Sequence, residues 1–456
     1  MATAHIPTHT PERGPLREGP ALLLLGITIV LVIMNTMMFN LALPDVAVAY
    51  HLSPSSTSWI VTGYSIVFAI SSITYSRLSD FIPIRRLYLI GILSLSLASI
   101  AGLFTNSFIM LLIVRIIQAS GAGSIPALSM VLLSRYIPTE RRGKAMAMIM
   151  SAVSLGLGLG PVVGGAIVEF SGWHTLFVVT AVTLLLVPLY SSLIPPELPK
   201  KGSFDVLGAV FIGVGTTGLL LFLTNHSWIA LVIGLVALGL FIVNIRTAKD
   251  PFVLPSLFLN RSYLTLAAVG IGAYLCSFST LFLIPQIMVN QYHLSAVTVG
   301  LVLFPGSLLA MILSRYVGQI IDLQGNAPII RYIPVLFLSS VVLFALFEGI
   351  SYFAVMSIYM LMSIGFTFLS SSISNEMSRI LLPGQIGSGL GLFQLLQFFS
   401  GGFGVAMTAT ALVWQKGLPV AQAYSNIFWG MSVIVLVSIA CSLLYLQMTS
   451  RRTQTS

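Results

Sequence analysis

The chain predicts an all-α polytopic membrane protein, and three observations carry that prediction. The 456 residues are 57% hydrophobic and only 7% charged, with a mean hydropathy of +1.01. A water-facing surface for a chain of this length cannot be built from so few charges. About fourteen continuous apolar stretches, each near the ~20 residues that cross a bilayer, are joined by short polar links. They do not alternate polar and apolar residues, which excludes a membrane β-barrel. A repeat completes the picture. SRLSDFIPIRR places a small residue, Ser76, four before Asp80 and a turn former, Pro83, three after it, and GQIIDLQG does the same with Gly318, Asp322 and Gly325. Pro44 in ALPDVA and Pro285 in LIPQIM stand at nearly the same offset. Such a period implies two six-helix bundles of like topology plus two additional central helices.

The elements follow in order. Residues 1–20, polar and Pro-rich with Arg13 and Arg17, read as a cytoplasmic tail. The first helix, 21–43, has too long an apolar run for a cleaved leader and stays in the membrane. Helices at 57–78, 86–105, 108–133, 144–168 and 174–194 complete a first bundle within 21–200. Two helices at 206–225 and 228–245 form the linker pair within 201–261. Helices at 263–288, 297–320, 329–347, 350–373, 387–413 and 423–447 form the second bundle within 262–447, before a cytoplasmic tail at 448–456.

Charge orients them. With the N-terminus inside, the inner links hold Arg77, Arg85, Arg86, Arg135, Arg141, Arg142, Lys144, Lys200, Lys201, Arg246, Lys249, Arg261, Arg315, Arg331 and Arg379. Arg451 and Arg452 add to the inner tails, and the outer links receive only Lys416. This is the positive-inside pattern. The net charge of +9 and the pI near 9.7 therefore mark a cytoplasmic membrane face and not a nucleic-acid surface. Trp59, Trp173, Trp228, Trp414 and Trp429 fall at or near predicted outer helix ends, where indole prefers the interface. Cys276 and Cys441 lie in apolar runs and read as packing residues.

Three motifs carry the functional expectation. In LGLGLGPVVGGAIVEF, Gly156, Gly160 and Gly164 recur every four residues and form a side-chain-free helix stripe, with Pro161 and Gly165 inside it. Helix four reads LLIVRIIQASGAG, with Arg115 the one basic residue clearly within a span and Gln118 three residues on. A guanidinium at that depth is costly unless it faces protein or water. In the link after helix two, Asp80 can cap a helix end and pair with Arg85, Arg86 or an arginine of a neighbouring helix.

These stretches resemble the major facilitator superfamily. The glycine run is similar to the fifth-helix signature of its drug exporters, G-x-x-x-G-P-x-x-G-G. The Asp80 link resembles its loop signature G-x-L-x-D-x-x-G-R-R, with Ser76 and Pro83 where glycines are usual. Arg115 and Gln118 resemble R-x-x-Q-G, with Ser120 and Gly121 displaced along the helix, and Arg141–Ala145 resembles the link between helices four and five. MNTMMFNLALPDVA, GSFDVLG and DPFVLPSLF extend the likeness to the fourteen-helix drug:proton antiporters of the Gram-positive tetracycline and multidrug efflux kind. The resemblance implies the major facilitator fold, proton-coupled efflux, and a coupling role for Arg115.

The chain departs from that pattern in its acids. All twelve lie in tails, links or helix ends, and Thr36, Leu157 and Gly401 stand at or near places where membrane carboxylates are expected. Asp45, at the outer end of helix one, is the nearest remaining candidate for proton coupling, with Asp322 a second gating acid beside Asp80. Asn35, Asn40, Gln118, Gln286, Gln394 and Gln397 are the candidate substrate-binding residues, joined by Ser370–Ser372 and Asn375 as further cavity-lining polar groups; Gln394 and Gln397 share one helix face. No Walker motif, metal-spaced histidine cluster or nucleophile elbow occurs, so no cofactor, metal or bond-making catalysis is expected. The reading is a monomeric proton-coupled exporter of drugs or amphiphiles in a bacterial cytoplasmic membrane. A facilitator or importer of a specific metabolite on the same fold is the alternative.

Overall fold

The computed structural model describes residues 16–455 except 53, 200, 201 and 226. Arg13, Lys200 and Lys201 lie outside these residues, as do the side chains of Arg451 and Arg452. Among the described residues, fourteen helical spans are long and apolar enough to cross a membrane. The first six are α1 (Glu18–Ala49), α2 (Pro54–Leu78), α3 (Ile84–Gly102), α4 (Phe108–Tyr136), α5 (Thr139–Ser171) and α6 (Trp173–Leu193). The linker pair is α7 (Val206–Asn225) and α8 (Trp228–Thr247). The second six are α9 (Arg261–Asn290), α10 (Ala296–Gln324), α11 (Ala327–Phe347), α12 (Tyr352–Ile380), α13 (Ile386–Trp414) and α14 (Val420–Thr455).

Polar caps start many of these helices inside otherwise apolar sequence. Ser107, Ser227, Asn260, Ser295 and Ser351 each accept a bond from the amide three residues on, opening α4, α8, α9, α10 and α12. Helix starts differ from the sequence expectation where prolines intervene. Pro138, in an extended conformation, ends α4, and α5 begins directly at Thr139. Arg141–Ala145, read above as a link, is therefore its first two turns. The sixth span is not one smooth helix. It runs through a 3₁₀ turn at Trp173–Thr175, a helix at Leu176–Ala181, a second 3₁₀ segment at Val182–Leu186 and a helix at Val187–Leu193. Pro188 removes the donor that Leu184's carbonyl would need, and the preceding turn tightens. Trp429 lies nine residues inside α14, well short of the helix end where the sequence placed it.

The spans α1–α6 pack together as one bundle and α9–α14 as another. The linker helices cross closely where Gly218 meets Gly234 and lie against α2 and α13. Asp205 fixes this pair. Its carboxylate accepts from the amides of Gly208 and Phe252 and from Asn244. Ser203 reaches back to Asp250, and its hydroxyl and amide hold that exposed carboxyl below its usual range. The GSFDVLG and DPFVLPSLF stretches thus meet in one junction. The start of α1 and the last turns of α14 lie on the face carrying most arginines: Glu18 pairs with Arg141, and Tyr445 bonds Glu376. This is called the basic face below.

Helix α5 sits between the bundles and packs on both sides without side chains. Gly156, Gly160 and Gly164 face α1, where a Cβ would lie 2.9 Å from Ile33, 2.5 Å from Met37 and 2.9 Å from Met38. Its other side meets α10, the most extensive helix contact in the molecule. There Gly158 lies against Ser307, and Gly300 and Gly318 of α10 lie against Val162 and Lys144. Pro161, half-buried, sits between these two seams. The related contact, α2 against α13, closes the other side of the interface between the bundles.

Replacing Gly160 with Leu should force α5 and α1 apart, a repacking that costs about 1–3 kcal/mol. The expected result is a lower unfolding midpoint in detergent and loss of transport, with protein still found in the membrane. Unchanged midpoint and activity would show that the stripe bears no tight contact.

Candidate functional site

At the basic face, the ends of α2 and α10 each rest near the beginning of a helix from the other bundle, on the first turn of α13 and the second turn of α5. Asp80 lies against the start of α13, and a Cβ on Gly387 would be 2.3 Å from its Oδ1. Four residues earlier, Ser76 donates to the Gly387 carbonyl at 2.8 Å and packs on Gly391. Asp322 occupies the related place against α5. It accepts from the Lys144 amide at 3.2 Å, while Gly318, four residues earlier, packs on the Lys144 backbone. The positive end of a helix dipole favours a carboxylate. The repeat seen in the sequence thus forms two related contacts, of which the Asp80 one also carries ion pairs.

Asp80 also pairs with Arg77 at 2.8 Å and with Arg135 at 3.1 Å. Arg135 belongs to α4 and further donates to the Ser79 carbonyl and hydroxyl at 2.9 Å each. Arg85 and Arg86, expected as partners, lie on the first turn of α3 instead. Arg85 donates to Ser191 at 2.8 Å, and Arg86 is exposed. Past Pro83 the chain turns into α3 and carries both side chains away from the Asp80 carboxylate. Glu197, counted among the link acids but given no role by the sequence, accepts from the Ile84 amide and the Tyr136 hydroxyl and so ties the start of α3 to α4. Arg142 spans the halves as well, donating to Ser134 and Ile137 carbonyls of its own bundle and to Ser378 of α12.

Deeper in the first bundle, Arg115 is fully buried. The rings of Phe39 from α1 and Tyr64 from α2 stack on its guanidinium, each 3.9 Å from ring centre to the guanidinium carbon. It donates to Gln118, whose own amide donates to Ser99 at 2.9 Å and Thr180 at 3.0 Å. Gln118, expected to meet substrate, is therefore consumed in a network joining α3, α4 and α6. The lone donor beside it is Arg115 Nε, which has no partner.

The remaining amides divide by orientation. Asn35 is buried, donates to the Tyr64 hydroxyl at 3.3 Å, and leaves its Oδ1 unpaired. Asn40 is exposed, since five residues turn it about 140° away from Asn35 on α1. Gln286 bonds back to its own helix at Phe282. Gln394 and Gln397 are both buried, Gln394 with its amide oxygen unpaired and Gln397 with both amide atoms unpaired. Ser372 and Asn375 belong to the basic end instead, where they bond Asn326, and Asn326 with Tyr445 holds Glu376. Asp45 is exposed, about 15 Å further along α1 than Asn35.

A cluster of rings missed in the sequence bridges the halves. Phe398 of α13 meets Phe68 of α2 at 4.6 Å and Tyr274 of α9 at 5.7 Å, and Tyr274 meets Phe366 of α12 at 5.0 Å. Beside it, Ser154, Ser277, Tyr359 and Phe366 line a cavity of about 10 Å³ between the bundles. A much larger apolar groove, about 550 Å³, lies between α2 and the linker helices, away from every polar group of the site. No group of histidine, cysteine or acidic residues suited to a metal occurs among the described residues, and Cys276 and Cys441 are free thiols.

A family model described as the Major Facilitator Superfamily matches residues 25–405. The riboflavin transporter RibZ of Clostridioides difficile is 27% identical over 310 residues, 67% of this chain and 68% of that protein. The lincomycin resistance protein LmrB of Listeria innocua is 24% identical over 388 residues, covering 82% of each chain. The crystal structure of the human organic anion transporter MFSD10 (TETRAN) superposes with a TM-score of 0.67 at 17% identity, over 93% of this chain and 99% of that one. That likeness speaks for the fold.

Neutralising Asp80 as Asn removes charge-assisted bonds worth about 1.5–3 kcal/mol. A cysteine placed at Ser76, in a background with Cys276 and Cys441 replaced by Ala, should then react with a maleimide at least ~tenfold faster as the α2–α13 contact opens. An unchanged rate would show that the carboxylate does not hold the contact.

Proposed function

Because the chain belongs to the Major Facilitator Superfamily and is a multi-pass membrane transporter and not an enzyme, we propose that it exports small amphiphilic molecules by alternating access, driven by proton entry. The observation that carries this reading is the interface between the bundles. At the basic face it is shut by two related carboxylate contacts, and further in it is lined by aromatic rings and unpaired amides. Opening one end while closing the other would pass a molecule held among those groups across the membrane. The resistance protein LmrB among the relatives and the α5 glycine pattern favour efflux. In this reading the protein is a monomer in a bacterial cytoplasmic membrane, with the basic face towards the cytoplasm.

Asp45 is the proposed titrating group; proton transfer between it and Arg115, deeper in α4, requires a water-lined path or a state in which the helix ends close together. The second reading is a facilitator or importer of one metabolite. It is favoured by the absence of any carboxylate beside Arg115 among the described residues and by the riboflavin transporter among the relatives.

Two measurements test these statements. A membrane-impermeant thiol reagent added to intact cells should label a cysteine at Lys416 and spare one at Arg141; the reverse pattern would invert the topology. In inverted vesicles, an imposed pH gradient should drive accumulation of a substrate drawn from a drug panel, and Asp45→Asn should remove its pH dependence while binding persists. An unchanged pH profile in Asp45→Asn would exclude Asp45, and accumulation without any gradient dependence would favour the facilitator.

A further inference from the structure

Arg115 carries a positive charge that no carboxylate neutralises among the described residues. It is 1% exposed. Asp80 and Glu197 are half-buried at the basic face with partners of their own, and Glu348, the buried acid among the described residues, caps the far end of α11. Stacking on two rings offsets part of the cost of an interior guanidinium, about 2 kcal/mol where water is excluded. It leaves the charge in place. One donor goes to Gln118, a neutral acceptor, and Nε goes to nothing. A guanidinium offers its donors in a planar fork that matches a carboxylate or phosphate.

The surroundings extend the argument across the bundles. Tyr64 stacks on Arg115 and on Phe68 at 6.1 Å, and Phe68 meets Phe398 edge-on at 4.6 Å, so ring contacts run from α2 to α13. On α13, next to Phe398 in sequence, Gln397 is buried with both atoms of its amide unpaired among the described residues, its Nε2 near Gly270 of α9. A cation, a run of aromatic rings and an unpaired amide on the facing bundle suit an aromatic molecule that carries an acidic group and hydrogen-bonding atoms.

We propose that the transported substrate is an aromatic organic anion and that Arg115 is its counter-ion, an assignment that rests on the transport reading above. The site is described in a closed state. The cavity of about 10 Å³ beside the ring cluster has room for little more than a water molecule, so the anion enters when the bundles part and the Phe39 and Tyr64 rings, which belong to the same bundle as Arg115, shift off the guanidinium. The missing membrane carboxylates then have a physical reason. An acid beside Arg115 would compete with the substrate for the same guanidinium.

The test uses two xanthene dyes of similar shape and opposite charge, fluorescein and rhodamine 6G. Their binding to the full chain in lipid nanodiscs is read by fluorescence anisotropy against empty nanodiscs, at physiological salt so that surface charge is screened. The anionic dye should bind at least tenfold more tightly than the cationic one. Arg115→Gln should abolish that preference by weakening the anion at least tenfold, and Arg115→Lys should keep the preference at reduced affinity. Equal or tighter binding of the cation, no binding of the anion, or an anion affinity indifferent to Arg115→Gln would each overturn the assignment. If Arg115→Gln does not yield monodisperse protein, the dye ratio of the unmodified chain and the Lys variant decide. Equilibrium binding requires neither a gradient nor a direction. Anion-selective binding with no gradient-driven accumulation would therefore contradict the export reading alone.

Discussion

Asp80 and Asp322 close the basic face in related ways, Asp80 resting on the first turn of α13 and Asp322 on the second turn of α5, each a helix of the other bundle. The arrangement works because the start of a helix carries a partial positive charge that attracts an acceptor. It needs small residues next to the acid. Ser76 and Gly318 let α2 and α10 come close enough to α13 and α5 for the carboxylates to reach. A bulky residue at either place would hold the helices apart and leave the acid facing water. Each contact is also easy to exchange, since both carboxylate and amides can be solvated once the halves separate. That combination suits an interface that must close firmly and still open in every cycle.

Away from the latches, many interior polar groups pair within one bundle: Gln118 with Ser99 and Thr180, Ser96 with Thr183, Tyr88 with Ser129. Others, Asn35, Tyr190, Gln394, Gln397, Ser277 and Ser307 among them, keep an atom unpaired among the described residues. A buried polar atom without a partner costs about 1–3 kcal/mol. Ser277 lines the small cavity between the bundles and Ser307 faces Gly158 across the seam of α5 and α10, so these two meet water or a ligand when the bundles part. The glycine seams of α5 face both ways, one its own bundle and the other the partner.

The helix count and the repeat were legible because both come from local signals, apolar length and a short spaced motif. The functional pairings were legible only in part. The link sequence shows Asp80 beside Arg85 and Arg86, neither of which pairs with it, while the other expected partner, an arginine of a neighbouring helix, is Arg135 of α4. Arg77 one turn back and Gly387, over three hundred residues away, complete its surroundings. Gln118 shows its type but not its direction, and the fold turns it to α3 and α6 and away from the halves' interface. The rings of Phe68, Tyr274, Phe366 and Phe398 carry no spacing signal at all, because aromatic residues are frequent on every span and only tertiary packing brings these four together. Pro188 was visible, but its effect on the turn before it depends on how α6 is seated.

The claim that the two carboxylate contacts jointly hold the basic face shut is tested most directly by distance. Arg86 at the start of α3 and Arg331 near the start of α11 are exposed on opposite bundles. Spin labels at these positions, in a background lacking Cys276 and Cys441, report the separation of the halves by double electron–electron resonance. The account predicts a short distance in the unmodified latch, a partial shift to a longer one in Asp80→Asn or Asp322→Asn, and a dominant long distance when both are neutralised. An identical distance distribution in all four proteins would contradict it.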